Sequence, residues 1–282
     1  MTIQLQADDL LAEDPGLEGP QDRAAEACEA FNEEAKLFER ASVAFRRSVH
    51  FHNTTFDGQL RVSLARTVYP GAPRLALPTP MEPDAGLASI HRNRRSCRHF
   101  SARPVSMADI SNLLSCLKVI RQDPSRVAAE IVFAKRAYPT PGGICSIDHY
   151  LLPLGCSDLP DAAAHYDART HDLALVVPSP DPDMVRRALA PGVEIRPLPA
   201  LAVVQVINIR RIVTKYRQRG YRFALIEAGL AAQTLCQMAT AFGLGALMWG
   251  GFREHLLDPL LELDGVNTSS VGVIFVGHPA GS

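Results

Sequence analysis

A chain of 282 residues that is 47% hydrophobic and 21% charged can bury a full core, as one large domain or two small ones. Its first residues lack a basic start and its longest apolar run, from Leu198 to Ile207, is strand-sized, so neither secretion nor membrane insertion is indicated and a cytoplasmic protein is expected. The net charge of −1 argues against general nucleic-acid binding. That balance hides an asymmetry. Residues 1–40 hold eleven acids and three bases, a charge of −8, which leaves +7 on residues 41–282 by subtraction from −1. An acidic arm therefore precedes a mildly basic body that would welcome an anionic ligand. Six cysteines, Cys28, Cys97, Cys116, Cys145, Cys156 and Cys236, form no CxxC pair and have no histidine at metal-ligand spacing, so they read as reduced thiols, mostly of the core, with no metal expected.

In chain order, residues 1–21 are acidic with Pro15, Gly16, Gly19 and Pro20, a composition that buries little surface and reads as a flexible lead-in. Residues 22–80 combine a helix and a connector. Between Asp22 and Phe45, apolar residues from Ala24 through Phe31 and Phe38 to Phe45 recur at helical spacing, and the stretch Tyr69–Pro80 has too many prolines for any regular element. The main domain, 81–282, begins with a helix near Ala85–Asn93 and a second opened by Ser106-Met-Ala-Asp109, which has the form of a capping box. Strands are predicted at Ile131–Ala134, Tyr150–Leu154, Leu173–Val177, Ala202–Ile209 and Val271–Val276. Between the last two, the apolar surface of Tyr221–Phe242 predicts a buried central helix that Gly243 ends. The pattern is α+β around one mixed sheet.

Three stretches carry chemistry. Arg92-Asn-Arg-Arg-Ser-Cys-Arg-His-Phe100 concentrates four arginines and a serine, and guanidinium groups bind phosphate bidentately while a hydroxyl adds a short donor; a solvated basic loop is the bland alternative. Tyr138-Pro-Thr-Pro-Gly-Gly-Ile144 sits between two predicted strands, where glycines let the backbone approach a flat ligand, although alone it is only a turn. Glu227-Ala-Gly229, Gln233, Gly243-Leu-Gly245 and Gly250-Gly-Phe252 form the third. His149, His165, His171 and His255 read as surface or loop residues rather than ligands or bases.

Taken in order and spacing, these stretches resemble the nitroreductase-like FMN oxidoreductases over residues from about 69 to 278. The arginine stretch followed by Pro104-Val is similar to that family's RRSxRxF…PV opening. The turn followed by Asp148-His-Tyr-Leu-Leu resembles the YPSxG…YL segment of its azoline-dehydrogenase branch, with Thr140 in place of the usual serine. The last stretch resembles the family's core helix, GLG turn and GGF strand end. The resemblance implies a nitroreductase-like α+β fold, a mixed central sheet flanked by helices, and a homodimer with FMN at the subunit interface, to which Tyr221–Phe242 contributes. It places FMN on Arg94, Arg95, Ser96 and Arg98 at the phosphate and O2 side, and on the backbone around Pro139, Thr140, Gly142, Gly143, Gly243, Leu244, Gly245, Gly250 and Gly251. Many members add a basic residue from a C-terminal tail; this chain stops at Val276-Gly-His-Pro-Ala-Gly-Ser282, so phosphate would rest more on Arg94, Ser96 and Arg98.

The branch rests largely on Thr214-Lys-Tyr-Arg-Gln-Arg-Gly-Tyr-Arg222, because Lys215 and Tyr216 resemble the catalytic pair of microcin-type azoline dehydrogenases. The chemistry needs such a pair. Making a thiazole from a thiazoline removes a hydride from Cβ and a proton from Cα, and an acceptor for the proton must come from the protein. Arginine stays protonated, whereas a lysine that is partly buried or near other cations can serve as a base. Among 29 basic residues 25 are Arg, so a lysine at this position is informative; a solvent-facing surface lysine is the alternative. The implied substrate is a thiazoline or oxazoline in a ribosomal peptide precursor or on a carrier protein, with oxygen as electron acceptor and the acidic arm as docking element for a cyclodehydratase or the peptide. The competing readings are an NAD(P)H-dependent nitro or flavin reductase and a non-catalytic scaffold in a biosynthetic complex.

Overall fold

The computed structural model describes residues 61–124, 132–189 and 198–281. All of them belong to one compact unit, Phe51–Ser282. The lead-in and the helix expected over 22–45 lie outside the described residues, and so does Cys28.

A seven-stranded sheet organises the unit. Its strands are β1 (Arg74–Ala76), β4 (Ile147–Pro153), β5 (Ala162–Asp167), β6 (Asp172–Pro178), β7 (Leu201–Asn208), β8 (Gly245–Trp249) and β9 (Thr268–Gly277), in the spatial order β1-β6-β5-β4-β7-β9-β8. A separate ribbon pairs β2 (Arg121–Pro124) with β3 (Val132–Lys135). The helices are α1 (Leu87–Asn93), α2 (Met107–Leu114), α3 (Pro182–Leu189), α4 (Ile209–Tyr216), α5 (Arg219–Ala241) and α6 (Glu254–Leu260). No helix among the described residues is long and apolar enough to cross a membrane.

The α+β class is as expected, but the sheet is not mixed: every pair of its strands is antiparallel. The reason is topological. The alternation of strand and helix does produce one crossover, β7–α4–α5–β8, yet β9 lies between β7 and β8 and runs antiparallel to both. Parallel contacts among the described residues are limited to isolated bridges such as Ser96 with Ala246.

Strand β7 explains why its run is apolar at nearly every position. Leu201 and Val203 join one cluster with Ala231, Ala232, Leu235 and Ala239 of α5, while Ala202, Val204 and Val206 join another with Val185 and Leu189 of α3 and Leu257 and Leu260 of α6. Both faces of the sheet are covered, so alternation has no polar face to report. Gln205, 1% exposed, is the exception, and it donates from Nε2 to the Ala228 carbonyl at 2.8 Å, tying the strand to α5. A buried amide needs such a partner.

Two local signals behave as the sequence predicts. Ser106 Oγ accepts the Asp109 N–H at 3.1 Å while the Asp109 carboxylate accepts the Ser106 N–H at 3.0 Å, a complete capping box on α2. Helix α5 stops where Gly243 takes φ +71° and Leu244 N–H reaches back to the Ala239 carbonyl at 2.8 Å. The proline-rich connector, in contrast, contains a regular element: Arg74–Ala76, between Pro73 and Pro78, form the edge strand β1 on β6. An edge position has one unpaired side, so nearby prolines cost it little.

Candidate functional site

The arginine segment is pinned by its backbone. Cys97 N–H donates to the Ala246 carbonyl at 2.9 Å, Ser101 N–H to the His278 carbonyl at 2.8 Å, and Ala280 N–H to the His99 carbonyl at 3.0 Å. Phe100, 1% exposed, anchors the end of the segment in the core. The GLG turn is part of the same assembly, because a Cβ on Gly245 would stand 2.6 Å from Cys97 Sγ. Arg95, Ser96 and Arg98 are left exposed and Arg94 half-buried, close enough for its charge to act on Cys236, whose thiol burial nevertheless pushes up. Among the described residues no carboxylate pairs with Arg94, Arg95 or Arg98; the Arg95 Nε contact is the Asn93 carbonyl at 3.5 Å. Three guanidinium groups without a carboxylate partner on a fixed backbone suit an anion.

The second group forms where the turn Pro139–Gly143 meets α4. Gly142 and Gly143 take φ +61° and +75°, which glycine adopts without strain. A Cβ on Gly142 would collide with Tyr216 Oη and stand 2.6 Å from Lys215 Nζ. The two stretches singled out separately in the sequence therefore touch. Helix α4 holds the pair because Ile209, Ile212, Val213 and Tyr216, spaced i, i+3, i+4 and i+7, pack inward against Ile144, Ile207 and Ala224. The Tyr216 ring meets Phe223 edge-on at 5.0 Å, and Lys215 Nζ lies 5.1 Å from the Tyr216 ring centroid. The chain leaves the pair through Arg217 at φ 54° and ψ −142°, a backbone conformation that costs a residue other than glycine on the order of 1–3 kcal/mol.

Glu227 anchors the end of the turn segment. It is 0% exposed and accepts from Ser146 Oγ at 2.6 Å and from Ser146 N–H at 3.1 Å. Burial pushes its carboxyl up to about 7, against the pull of the Ser146 hydroxyl and N–H. Sequence reasoning quoted Glu227 only as part of a helix signature. Its position in an otherwise apolar helix face, flanked by Ala224 and Ala228, was the available signal.

Arg94 acts on Cys236 and Leu244 bonds Ala239 in the C-terminal half of α5, while Tyr216 packs on Phe223 and Ser146, at the end of the turn segment, bonds Glu227 in its N-terminal half. Glu227 and Cys236 are about 14 Å apart along the axis at 1.5 Å per residue. Gly250 and Gly251 lie exposed at the end of β8, with open space where a Gly250 Cβ would point. The histidine expectation is corrected: His149, His165 and His171 are 4%, 3% and 8% exposed. Burial lowers His149 to about 3 and His171 to about 4, and His171 bonds Tyr166 and Ser111, so its ring is a neutral part of the core. Among the described residues no cluster of His, Cys, Asp or Glu is placed to hold a metal.

A family profile described as "Nitroreductase family" matches residues 91–278. The microcin B17-processing protein McbC of Escherichia coli is 27% identical over 147 residues, 51% of this chain and 54% of that protein, so the match spans about half of its length. A protein of Methanocaldococcus jannaschii provisionally assigned as a nitroreductase is 22% identical over 180 residues, 63% of this chain and 84% of that one. Among solved structures, one from Ralstonia eutropha JMP134, also provisionally a nitroreductase, has a TM-score of 0.61 at 22% identity, covering 76% of this chain and 93% of that one. The E. coli microcin synthetase McbBCD complex with truncated pro-MccB17 bound gives 0.58 at 22% identity, covering 84% and 87%. These two share the fold. With the family profile matched over more than half of its residues, the chain belongs to the nitroreductase family.

Proposed function

We propose that this protein is a cytoplasmic FMN-dependent dehydrogenase that oxidises thiazoline or oxazoline rings of a peptide or carrier-bound precursor to thiazole or oxazole. One observation carries the reading. Lys215 and Tyr216, an amine and a phenol, converge on the backbone of Gly142 in the glycine turn. The similarity to a microcin-processing protein, and to a complex solved with a pro-peptide bound, supports that substrate class and a place in a synthetase assembly.

The residues present fit FMN. Arg94, Arg95, Ser96 and Arg98 supply uncommitted donors for its phosphate, and the positive φ of Gly142 and Gly143 and the open space at Gly243 and Gly250 suit backbone contact with a flat ring. Bound FMN would supply the two-electron oxidation, accepting hydride from Cβ of the azoline. Lys215 Nζ takes the proton from Cα, and the Tyr216 ring face beneath it stabilises the ammonium that results. Thr140 keeps a hydroxyl beside the turn, and Leu244 sets the strand that carries Gly245. With Arg98→Ala, FMN affinity should fall about 10- to 100-fold, the equivalent of one charge-assisted contact, as measured by fluorescence titration.

A second copy would complete the cradle. Helix α5 exposes Tyr221 at 46%, Leu225 at 40%, Ile226 at 52% and Leu230 at 36%, and Gly229 among them has nothing within 4 Å of where a Cβ would be. An apolar face of this kind on a helix fits an isologous dimer in which the arginine segment of one copy approaches the turn of its partner. Ile226→Asp should convert a dimer into a monomer in sedimentation velocity and weaken FMN binding along with it; a wild type that sediments as a monomer with full FMN affinity contradicts this arrangement. The activity itself is tested by mass spectrometry of a thiazoline-bearing peptide, which should lose two hydrogens only in the presence of the FMN-loaded protein.

A further inference from the structure

A recess of about 50 Å³ adjoins the far end of the glycine turn, with Gly143 and Cys145 on its wall. Its other walls carry Ser63, Arg66, Arg136, Arg169, Arg211 and Asp148. None of these has a part in the proposed reaction.

Three donors there have no acceptor. Ser63 Oγ, Arg136 Nε and Arg211 Nε are buried and make no hydrogen bond. Arg211, 5% exposed, is held through three of its donors: Nη1 donates to the Asp148 carboxylate at 2.9 Å and the Cys145 carbonyl at 3.2 Å, and Nη2 to Thr67 Oγ1 at 2.7 Å. Arg136 is held through Nη1 on the Leu117 carbonyl at 2.7 Å. Both guanidinium groups are thus held in place with a buried Nε donor unused. Native proteins rarely leave buried donors in this state.

Charge separates an anion from water as the occupant. Four arginines, of which Arg66 is half exposed, line the recess against one carboxylate, Asp148, which Arg211 and Thr67 already engage. Burial alone would raise that carboxyl, but Arg211 and His165 hold it well below the usual carboxylate range, so it stays ionised and is no acceptor in waiting. Arg66 also reaches Asp167 at 3.7 Å, yet Asp167 is shared with Arg74 at 3.3 Å. Water satisfies donors but leaves the surplus positive charge in place. Volume limits the choice further, because at about 10–15 Å³ for each water-sized site the recess holds roughly three to five heavy atoms.

We infer that this recess is a binding site for a free planar oxyanion the size of formate or nitrate, held by Arg136, Arg211 and Ser63. The site shares Gly143 with the proposed flavin cradle, but none of Arg136, Arg211 and Ser63 takes part in that reading.

The test is thermal unfolding of the full chain at constant ionic strength with formate, nitrate, sulfate or chloride as the varied anion. Formate and nitrate should raise the melting temperature along a saturating curve, and sulfate, whose five heavy atoms stand at the upper limit of the volume, should do so more weakly. Ser63→Ala should weaken the fitted affinity roughly 2- to 10-fold, the loss of one hydrogen bond, and Arg136→Met should abolish saturation. If Arg136→Met fails to fold, Ser63→Ala carries the comparison. A rise that never saturates, or one identical in wild type and Ser63→Ala, overturns the proposal. So does a crystal grown in formate whose recess holds water alone.

Discussion

Lys215→Ala is expected to slow oxidation of a thiazoline peptide about 10²- to 10⁴-fold, the range of a lost general base, with FMN affinity unchanged. The expectation follows from placement. Lys215 ends α4 half-buried, its Nζ above the Tyr216 ring and against Gly142, while Lys135 Nζ lies by the neighbouring Gly143, 3.1 Å from where a Cβ there would stand. Lys215→Arg keeps the charge but cannot release its proton, so it should fail nearly as badly. That comparison separates proton acceptance from simple attraction of an anionic substrate. Tyr216→Phe keeps the ring face and removes the phenol, and should cost less than either. Single-turnover rates for the three variants decide the matter: activity retained by Lys215→Arg would remove Lys215 from the role of base.

Glu227→Gln is expected to change how stability depends on pH. The folded carboxyl titrates at about 7 against an ordinary value of 4.5, so between those values the folded state holds a proton that the unfolded chain has lost. Its contribution is fully present below about 4.5 and is lost as pH rises through about 7. Two and a half pH units correspond to about 3 kcal/mol. Glutamine does not titrate, so relative to wild type the variant should gain about that amount between pH 4.5 and 7 in urea unfolding. The comparison must be a difference because other groups act in the same range. Burial holds His149 down to about 3, which makes a contribution of opposite sign that is lost as pH falls below 6.5. A difference curve that stays flat would show that the buried carboxyl is not neutral in the folded state. Since Glu227 fastens Ser146 at the end of the turn, its protonation also bears on how firmly Gly142 is presented.

Much of this was legible in the sequence where a local rule and the global fold agree. Ser106 and Asp109 form their box because the needed atoms lie three residues apart, and Gly243 ends α5 because only glycine takes the left-handed turn without strain. Strand β5 was missed because Ala162-Ala-Ala-His-Tyr-Asp167 has low strand propensity and no alternation, being buried on both faces. Helix α6 was hidden by Pro259. The sequence reading assigns no element between Ile209 and Tyr221, although Ile209, Ile212, Val213 and Tyr216 carry the helical period of α4. The site shows the same division. Contact between Gly142 and the Lys215–Tyr216 pair joins residues more than seventy apart, and the separation of the arginine segment from the turn depends on the length of α5; neither quantity is written in spacing alone.

The most direct measurement is the absorbance spectrum of the FMN-loaded protein mixed anaerobically with a thiazoline-bearing peptide. The account predicts that the oxidised flavin band bleaches on adding the peptide alone, with no nicotinamide present. A flavin that stays yellow with the peptide and bleaches with NADPH would contradict it and make the protein a reductase built on the same fold.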